Sequence, residues 1–139
     1  MGRILAIDYG RKRTGIAVTD TLQLIANGLT TVPTAMLQTF LDDYLGREPV
    51  DRIVVGLPRQ MDGRPSETMP YIDAFVRSFR QRHPELPVEL FDERFTSVLA
   101  HQAVLSGGVK KKDRQNKALY DEVSATIILQ GYMESKKNI

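Results

Sequence analysis

Asp8, the acidic pair Asp92-Glu93 and Asp121 are the residues whose types and spacing suggest chemistry. Asp8 ends the apolar run Ile4-Leu5-Ala6-Ile7 and alternates with Ile4 and Ala6, so it shares one face of a strand that reads as buried. An ionised carboxylate there is costly unless it is paired or binds a metal. A strand end opening onto a crevice relieves that cost; an ordinary turn cap at Gly10 would relieve it too. Phe91-Asp92-Glu93-Arg94 ends another strand in two acids beside an arginine. Adjacent strand residues face opposite ways, so one acid can share a given site and the other is left to pair with arginine or cap a turn. Spacing alone does not choose between them. Asp121 precedes Ser124, Ala125 and Ile128 at i+3, i+4 and i+7, a small and partly apolar stripe that turns it toward the sheet. A helix-start acid favoured by the dipole would look the same.

Three carboxylates could therefore converge where two strand ends meet a helix. The chain has no cysteine, and its two histidines are His83 and His101. Oxygen ligands remain, and these select Mg²⁺ or Mn²⁺. Two such ions about 3.5–4 Å apart activate a water and stabilise the leaving oxygen in phosphodiester cleavage. The run Lys110-Lys111-Lys112-Asp113-Arg114-Gln115-Asn116-Lys117 carries net +4 on a chain of net +2, so the remainder sums to −2. Such a segment is either a solvated loop or the footprint of a polyanion, and it directly precedes Asp121.

The elements that must position these groups follow from hydrophobic pattern. Ile4–Ile7 and Thr14–Asp20 read as strands joined by the turn Gly10-Arg11-Lys12-Arg13, hence an antiparallel hairpin. Leu29–Val32 reads as a third strand. A helix is expected from Ala35 to about Leu45, with Met36, Phe40, Leu41, Tyr44 and Leu45 inward, Thr34 as its cap and Gly46 at its end. Arg52–Leu57 reads as a strand, Pro58–Pro70 as mostly loop, and Pro70–Arg82 as a helix with Ile72, Phe75, Val76 and Phe79 inward. Val88–Phe91 is a strand. A helix capped by Thr96 is expected to end near Gly107-Gly108, and a last helix to run from about Ala118 to Met133. Strands alternating with helices after a hairpin imply an α/β fold, a mixed sheet covered by helices.

The 139 residues suit a single domain, 1–139, with 42% hydrophobic and 26% charged residues. No apolar run approaches the roughly 18 residues of a membrane span. Asp8 comes too early for a secretory signal, so a cytoplasmic protein with no membrane partner is expected.

The motifs together resemble the YqgF/RuvX family of Holliday junction resolvase-like proteins, also described as pre-16S rRNA nucleases. The resemblance covers nearly the whole chain. It rests on Ala6–Ala17 (AIDYGRKRTGIA), on Ile53–Pro58 followed by Met61-Asp62-Gly63, on Asp92–Ser97 (DERFTS), and on Lys117-Ala118 through Asp121, Ser124 and Ala125. Gln60 stands where similar proteins usually carry Asn, a neutral amide for a neutral amide. The resemblance implies an RNase H-like fold with a five-stranded mixed sheet. It also implies a metal-dependent nuclease site of Asp8, Glu93 and Asp121, choosing Glu93 over Asp92. Asp8 would be the central, bridging ligand of Mg²⁺ or Mn²⁺, and Glu93 and Asp121 would complete two ion sites.

Nucleic acid is the expected partner, as structured RNA or branched DNA. Arg11, Lys12 and Arg13 in the hairpin turn, Arg59 and Arg64 in the loop after the fourth strand, and Lys110, Lys111, Lys112, Arg114 and Lys117 are its candidate contacts. Arg94 is expected to brace a carboxylate, Thr96 and Ser97 to cap a helix, and Ser124 and Ala125 to pack. The expected activity is endonucleolytic processing of the 5′ end of pre-16S rRNA. The alternatives are resolution of four-way DNA and a non-catalytic nucleic-acid-binding module. Asp-x-Gly before a hairpin also opens actin-like ATPases, but those enclose a nucleotide between two lobes and this chain supplies one. No dimer stripe separates from the core in the sequence, so a monomer or weak homodimer is expected.

Overall fold

The structure, a computed structural model, describes residues 2–57, 67–92 and 117–137, the last segment by backbone alone at 117–121 and 137. Its elements are β1 (Arg3–Asp8), β2 (Arg13–Thr19), β3 (Ala26–Pro33), α1 (Leu37–Arg47), β4 (Val50–Leu57), α2 (Met69–Arg82), β5 (Val88–Asp92) and α3 (Lys117–Lys137). The strands form one mixed sheet in the order β3-β2-β1-β4-β5. β2 is antiparallel to β1 and β3, because short connections reverse the chain. β4 is parallel to β1 and β5 is parallel to β4, which requires the crossovers through α1 and α2.

The pleat of β1 sorts its apolar run into two cores. Leu5 and Ile7, with Ile16, Ile53 and Val55, pack under Leu37, Leu41 and Tyr44 of α1 and Ile72, Phe75, Val76 and Phe79 of α2. Ile4 and Ala6, with Ala17 and Val54, pack under Ala125, Ile128, Leu129 and Tyr132 of α3. Each large side chain so buried is worth about 1.5–3 kcal/mol, enough for the sheet to select which face of each helix turns inward.

The hairpin, the mixed sheet and the inward face of α2 are as the sequence reading has them. Other details differ. β3 starts at Ala26, three residues before the expected strand. Thr34 does not cap a helix. Its backbone N–H donates to the Lys12 carbonyl (2.9 Å), its hydroxyl donates to the Gly10 carbonyl (2.5 Å), and it meets the hydroxyl of buried Thr14 at 2.9 Å. Thr34–Met36 form a 3-10 turn. Its tighter winding shifts the phase, so Leu37 is buried and Met36 faces solvent. Gly46 lies inside α1, which runs on to Arg47. The expected helix between Thr96 and Gly108 lies outside the described residues. Among the described residues no helix is long and apolar enough to cross a membrane.

Candidate active site

Asp8 is the last residue of β1, the central strand of the sheet. Two residues past Ala6, it falls on the face that α3 covers. Asp8 as a residue is half-buried, and its cross-strand neighbour Gly15 contributes no side chain to that face. On the other side, Gly56 follows Val55, the partner of Ile7. Asp8 therefore sits at a strand end between two residues without side chains, the open position that its burial cost calls for.

α3 crosses this face obliquely. An ideal Cβ on Gly28 would lie 3.3 Å from Thr126 Oγ1 and 3.6 Å from Glu122 Cβ, so the helix passes close over β3 there. Gly28 shares a row with Ala17 and Ala6. Further on, Tyr132 accepts a hydrogen bond of 2.5 Å from Arg52 Nη1, in the row of Ile4. The helix thus runs from the Ala6 row toward the Ile4 row, and its N-terminal end leans toward the end of the sheet where Asp8 lies. Asp121 belongs to that end, one turn before buried Ala125. Ala125 and Ile128 pack against the sheet and Ser124 is half-buried, as their spacing implies.

The strand register separates the acidic pair. Phe91 packs into the α3 core and stacks edge-on against Tyr132 at 6.3 Å. Glu89, on the same face, pairs with Lys136 Nζ at 3.7 Å. Asp92 therefore turns to the opposite face, the side of Val88 and the α1–α2 core. Asp92 and Asp8 do not share a face. Glu93 lies outside the described residues, as do Arg59, Arg64, Lys110, Lys111, Lys112 and Arg114, and so do Arg94, Thr96 and Ser97. Lys117 opens α3.

The hairpin turn carries Arg11 and Lys12 exposed and Arg13 half-buried. The Arg11 guanidinium lies 5.4 Å from the Tyr71 ring centroid and 4.0 Å from Glu67 Oε2, contacts between half-exposed or exposed groups. Beneath them Tyr9 packs on Phe75 at 5.5 Å, and burial pushes the Tyr9 phenol pKa up. Among the described residues no three His, Cys, Asp or Glu side chains cluster to hold a metal.

The sequence reading did not find the polar network at the far end of α3. Arg52 Nη1 donates to Tyr132 and lies 3.3 Å from Glu89 Oε1, which locks α3 to β4 and β5. The hydrogen bond to Tyr132 raises the Arg52 pKa, and burial raises that of Tyr132. Arg52 and Tyr132 are 80 positions apart, and no local pattern links them.

The sequence model of RuvX, described as Holliday junction resolvase, matches residues 2–135. A protein of Bacteroides thetaiotaomicron named "Putative pre-16S rRNA nuclease" is 69% identical over 137 residues, covering 99% of each chain. A protein of the same name from Phocaeicola vulgatus is 67% identical over 139 residues and the full length of both. Among solved structures, Thermus thermophilus RuvC in complex with Holliday junction substrate superposes with a TM-score of 0.56 at 15% identity. That likeness spans 99% of this chain and 97% of the other, and it shows a shared fold.

Proposed function

Since this chain belongs to the RuvX family, described as Holliday junction resolvase, we propose that it is a nuclease that hydrolyses phosphodiester bonds in structured nucleic acid. The name borne by its relatives supports precursor 16S ribosomal RNA as the substrate, and the resemblance in its motifs adds the 5′ end as the part processed. Its place of action is then the cytoplasm, where ribosomal RNA is made.

The observation that carries this reading is the position of Asp8, at the end of the central strand and on the face crossed by the helix of Asp121. The donor chemistry fits a hard divalent cation. The chain has no thiolate, Asp8 offers oxygen, and Gly15 beside it leaves that flank clear. Asp8, Glu93 and Asp121 would hold Mg²⁺ or Mn²⁺, with two ions the expected number. When bound, the ions supply an activated water and offset charge on the leaving oxygen. The opposite facing of Asp92 favours Glu93 as the acid of that pair in the site.

The remaining roles belong to the cations. Arg11, Lys12 and Arg13 lie just beyond Asp8 and would hold phosphates there. The exposed contacts of Arg11 with Tyr71 and Glu67 are worth little, so its guanidinium can turn to a phosphate at small cost. Arg59, Arg64 and the basic run Lys110, Lys111, Lys112, Arg114 and Lys117 would add further contacts to the polyanion.

The test is a cleavage assay with Mg²⁺ or Mn²⁺, offering a ribosomal RNA precursor fragment, a four-way DNA junction and single strands to wild type and Asp8→Asn. RNA cleavage that falls about 10²-fold or more in Asp8→Asn is expected. The family's description favours a second reading, junction resolution, and paired symmetric nicks in the DNA junction alone would replace the first reading with it. Absence of any cleavage sensitive to Asp8→Asn would refute both and leave a nucleic-acid-binding module.

A further inference from the structure

A column of aromatic rings runs along α2 and ends in the open beside the hairpin turn. His83 packs on Phe79 (4.8 Å between ring centroids), Phe79 on Phe75 (6.0 Å) and Phe75 on Tyr9 (5.5 Å). Phe75 and Phe79 are buried, so the column is fixed to the core. Tyr71 stands one turn before Phe75 on the same helix, at the spacing that puts two side chains on one flank. Burial raises the Tyr9 pKa, and Tyr71 is near enough to raise it further. Yet Tyr71 is 48% exposed. Its ring stays in water while Phe75 below it is covered.

What lies over that ring is a planar cation. The Arg11 guanidinium is 5.4 Å from the Tyr71 centroid, and its ion pair, with Glu67 Oε2 at 4.0 Å, is to a side chain 90% exposed. Both contacts are weak in water. A guanidinium and a nucleobase are both flat and both favoured on an aromatic face, so Arg11 marks a face that a base can take. Arg11, Lys12 and Arg13 are three consecutive cations, a charge run that suits a polyanion. Arg11 is three residues beyond Asp8, a backbone reach of at most about 11 Å. Tyr9 packs toward α1 and α2, whereas Asp8 lies on the α3 face, so the chain passes over the end of the sheet between them.

We propose that Tyr71 is a stacking site for an unpaired base of the nucleic acid, in a strand whose phosphate is held by Arg11. The strand leaving Asp8 passes over the hairpin turn, Arg11 swings from the Tyr71 ring to a phosphate, and a base takes the face it leaves. A paired base is already stacked within its duplex, so the site selects substrates with an unpaired nucleotide close to the cleaved bond. Every base has a π face, so the selection is for structure rather than sequence. The identity of the ligand rests on the nuclease reading, whereas the stacking itself requires no cleavage.

The test is binding of the full chain, at low salt and in EDTA so that nothing is cut, to a blunt RNA duplex and to the same duplex with a short single-stranded tail at either end. Fluorescence anisotropy of labelled RNA reads the affinity. Wild type is expected to prefer a tailed duplex. Tyr71→Ala should bind the tailed duplex about 5-fold or more weakly and the blunt one unchanged. Tyr71→Phe keeps the ring and should bind both as wild type does. A second measurement needs no variant: 2-aminopurine placed along the tail should lose fluorescence on binding wild type at the position that stacks. The proposal is overturned by Tyr71→Ala binding both RNAs like wild type, by an equal loss on both, by Tyr71→Phe losing as much as Tyr71→Ala, or by a tail with no quenched position. Wild type that binds neither RNA would refute the nuclease reading along with it. Stacking on the tail with no cleavage sensitive to Asp8→Asn would refute that reading alone.

Discussion

Gly10, in the turn between Asp8 and the basic residues, sits against backbone. An ideal Cβ there would lie 2.4 Å from the Arg13 carbonyl oxygen, where real contacts stay beyond 3.0 Å. A flexible side chain could swing away, but a carbonyl at the start of β2 cannot without opening the hairpin. The Gly10 carbonyl also accepts the 2.5 Å hydrogen bond from Thr34, so opening the turn strains a second contact. Overpacking of this kind costs about 1–3 kcal/mol, offset by about 0.4–1 kcal/mol from the narrower unfolded ensemble of alanine. Gly10→Ala is expected to lose about 1–2 kcal/mol net, and about 5–10 °C in Tm. Gly46→Ala is the control. It lies in the last turn of α1 with nothing within 4 Å of the added Cβ, so it should gain about 0.5–1 kcal/mol. Urea denaturation of the three proteins measures both changes from the midpoint at constant slope. A Gly10→Ala protein as stable as wild type, or a destabilised Gly46→Ala, would refute the steric argument.

Other substitutions probe the remaining contacts. Thr34→Val removes the tie between the 3-10 turn and the hairpin and leaves the buried Thr14 hydroxyl without that partner. A loss of about 1–3 kcal/mol is expected by denaturation, against almost none if Thr34 were an exposed cap. Tyr132→Phe leaves Arg52 its half-exposed contact with Glu89 alone, which should cost about 1 kcal/mol and speed amide exchange in the second half of α3. Backbone hydrogen bonds from Ile25 foremost, and from Leu24 and Leu22 in the loop between β2 and β3, hold the Asp20 carboxyl below its ordinary pKa. Its contribution is therefore present above the unfolded value near pH 4 and lost as pH falls through the folded value. Amide exchange at Leu22, Leu24 and Ile25 should accelerate in that acid range, and Asp20→Asn should show the acceleration already at neutral pH. Unchanged protection in Asp20→Asn would remove the claim that Asp20 organises the loop.

Local pattern made a large part of the fold legible. The unbroken Ile4–Ile7 run requires a strand covered on both sides, and the short turn after it leaves no connection but a hairpin. The spacing of Ile72, Phe75, Val76 and Phe79 names the buried face of α2 without reference to its partner. Thr34, Met36 and Gly46 were legible in type but not in role. A threonine before a helical pattern is a reasonable cap, and what redirected it is the Gly10 carbonyl, 24 positions away in sequence.

The candidate site divides in the same way. Alternation along one strand suffices to place Asp8 with Ile4 and Ala6, because a strand's two faces follow from its period alone. Which face α3 would cover, and that its N-terminal end leans toward Asp8, depends on packing between elements more than a hundred residues apart. The facing of Asp92 likewise depends on the pairing of β5 with β4, since two adjacent acids look equivalent until register assigns them to opposite sides. The sequence by itself determined the carboxylate chemistry, the absence of thiolates and the period of each element, since all of these belong to residues and their near neighbours. The tertiary structure alone decided that Asp8 and Asp92 face opposite sides and what Thr34 and Arg52 bind, since these are relations across the sheet that no local period encodes.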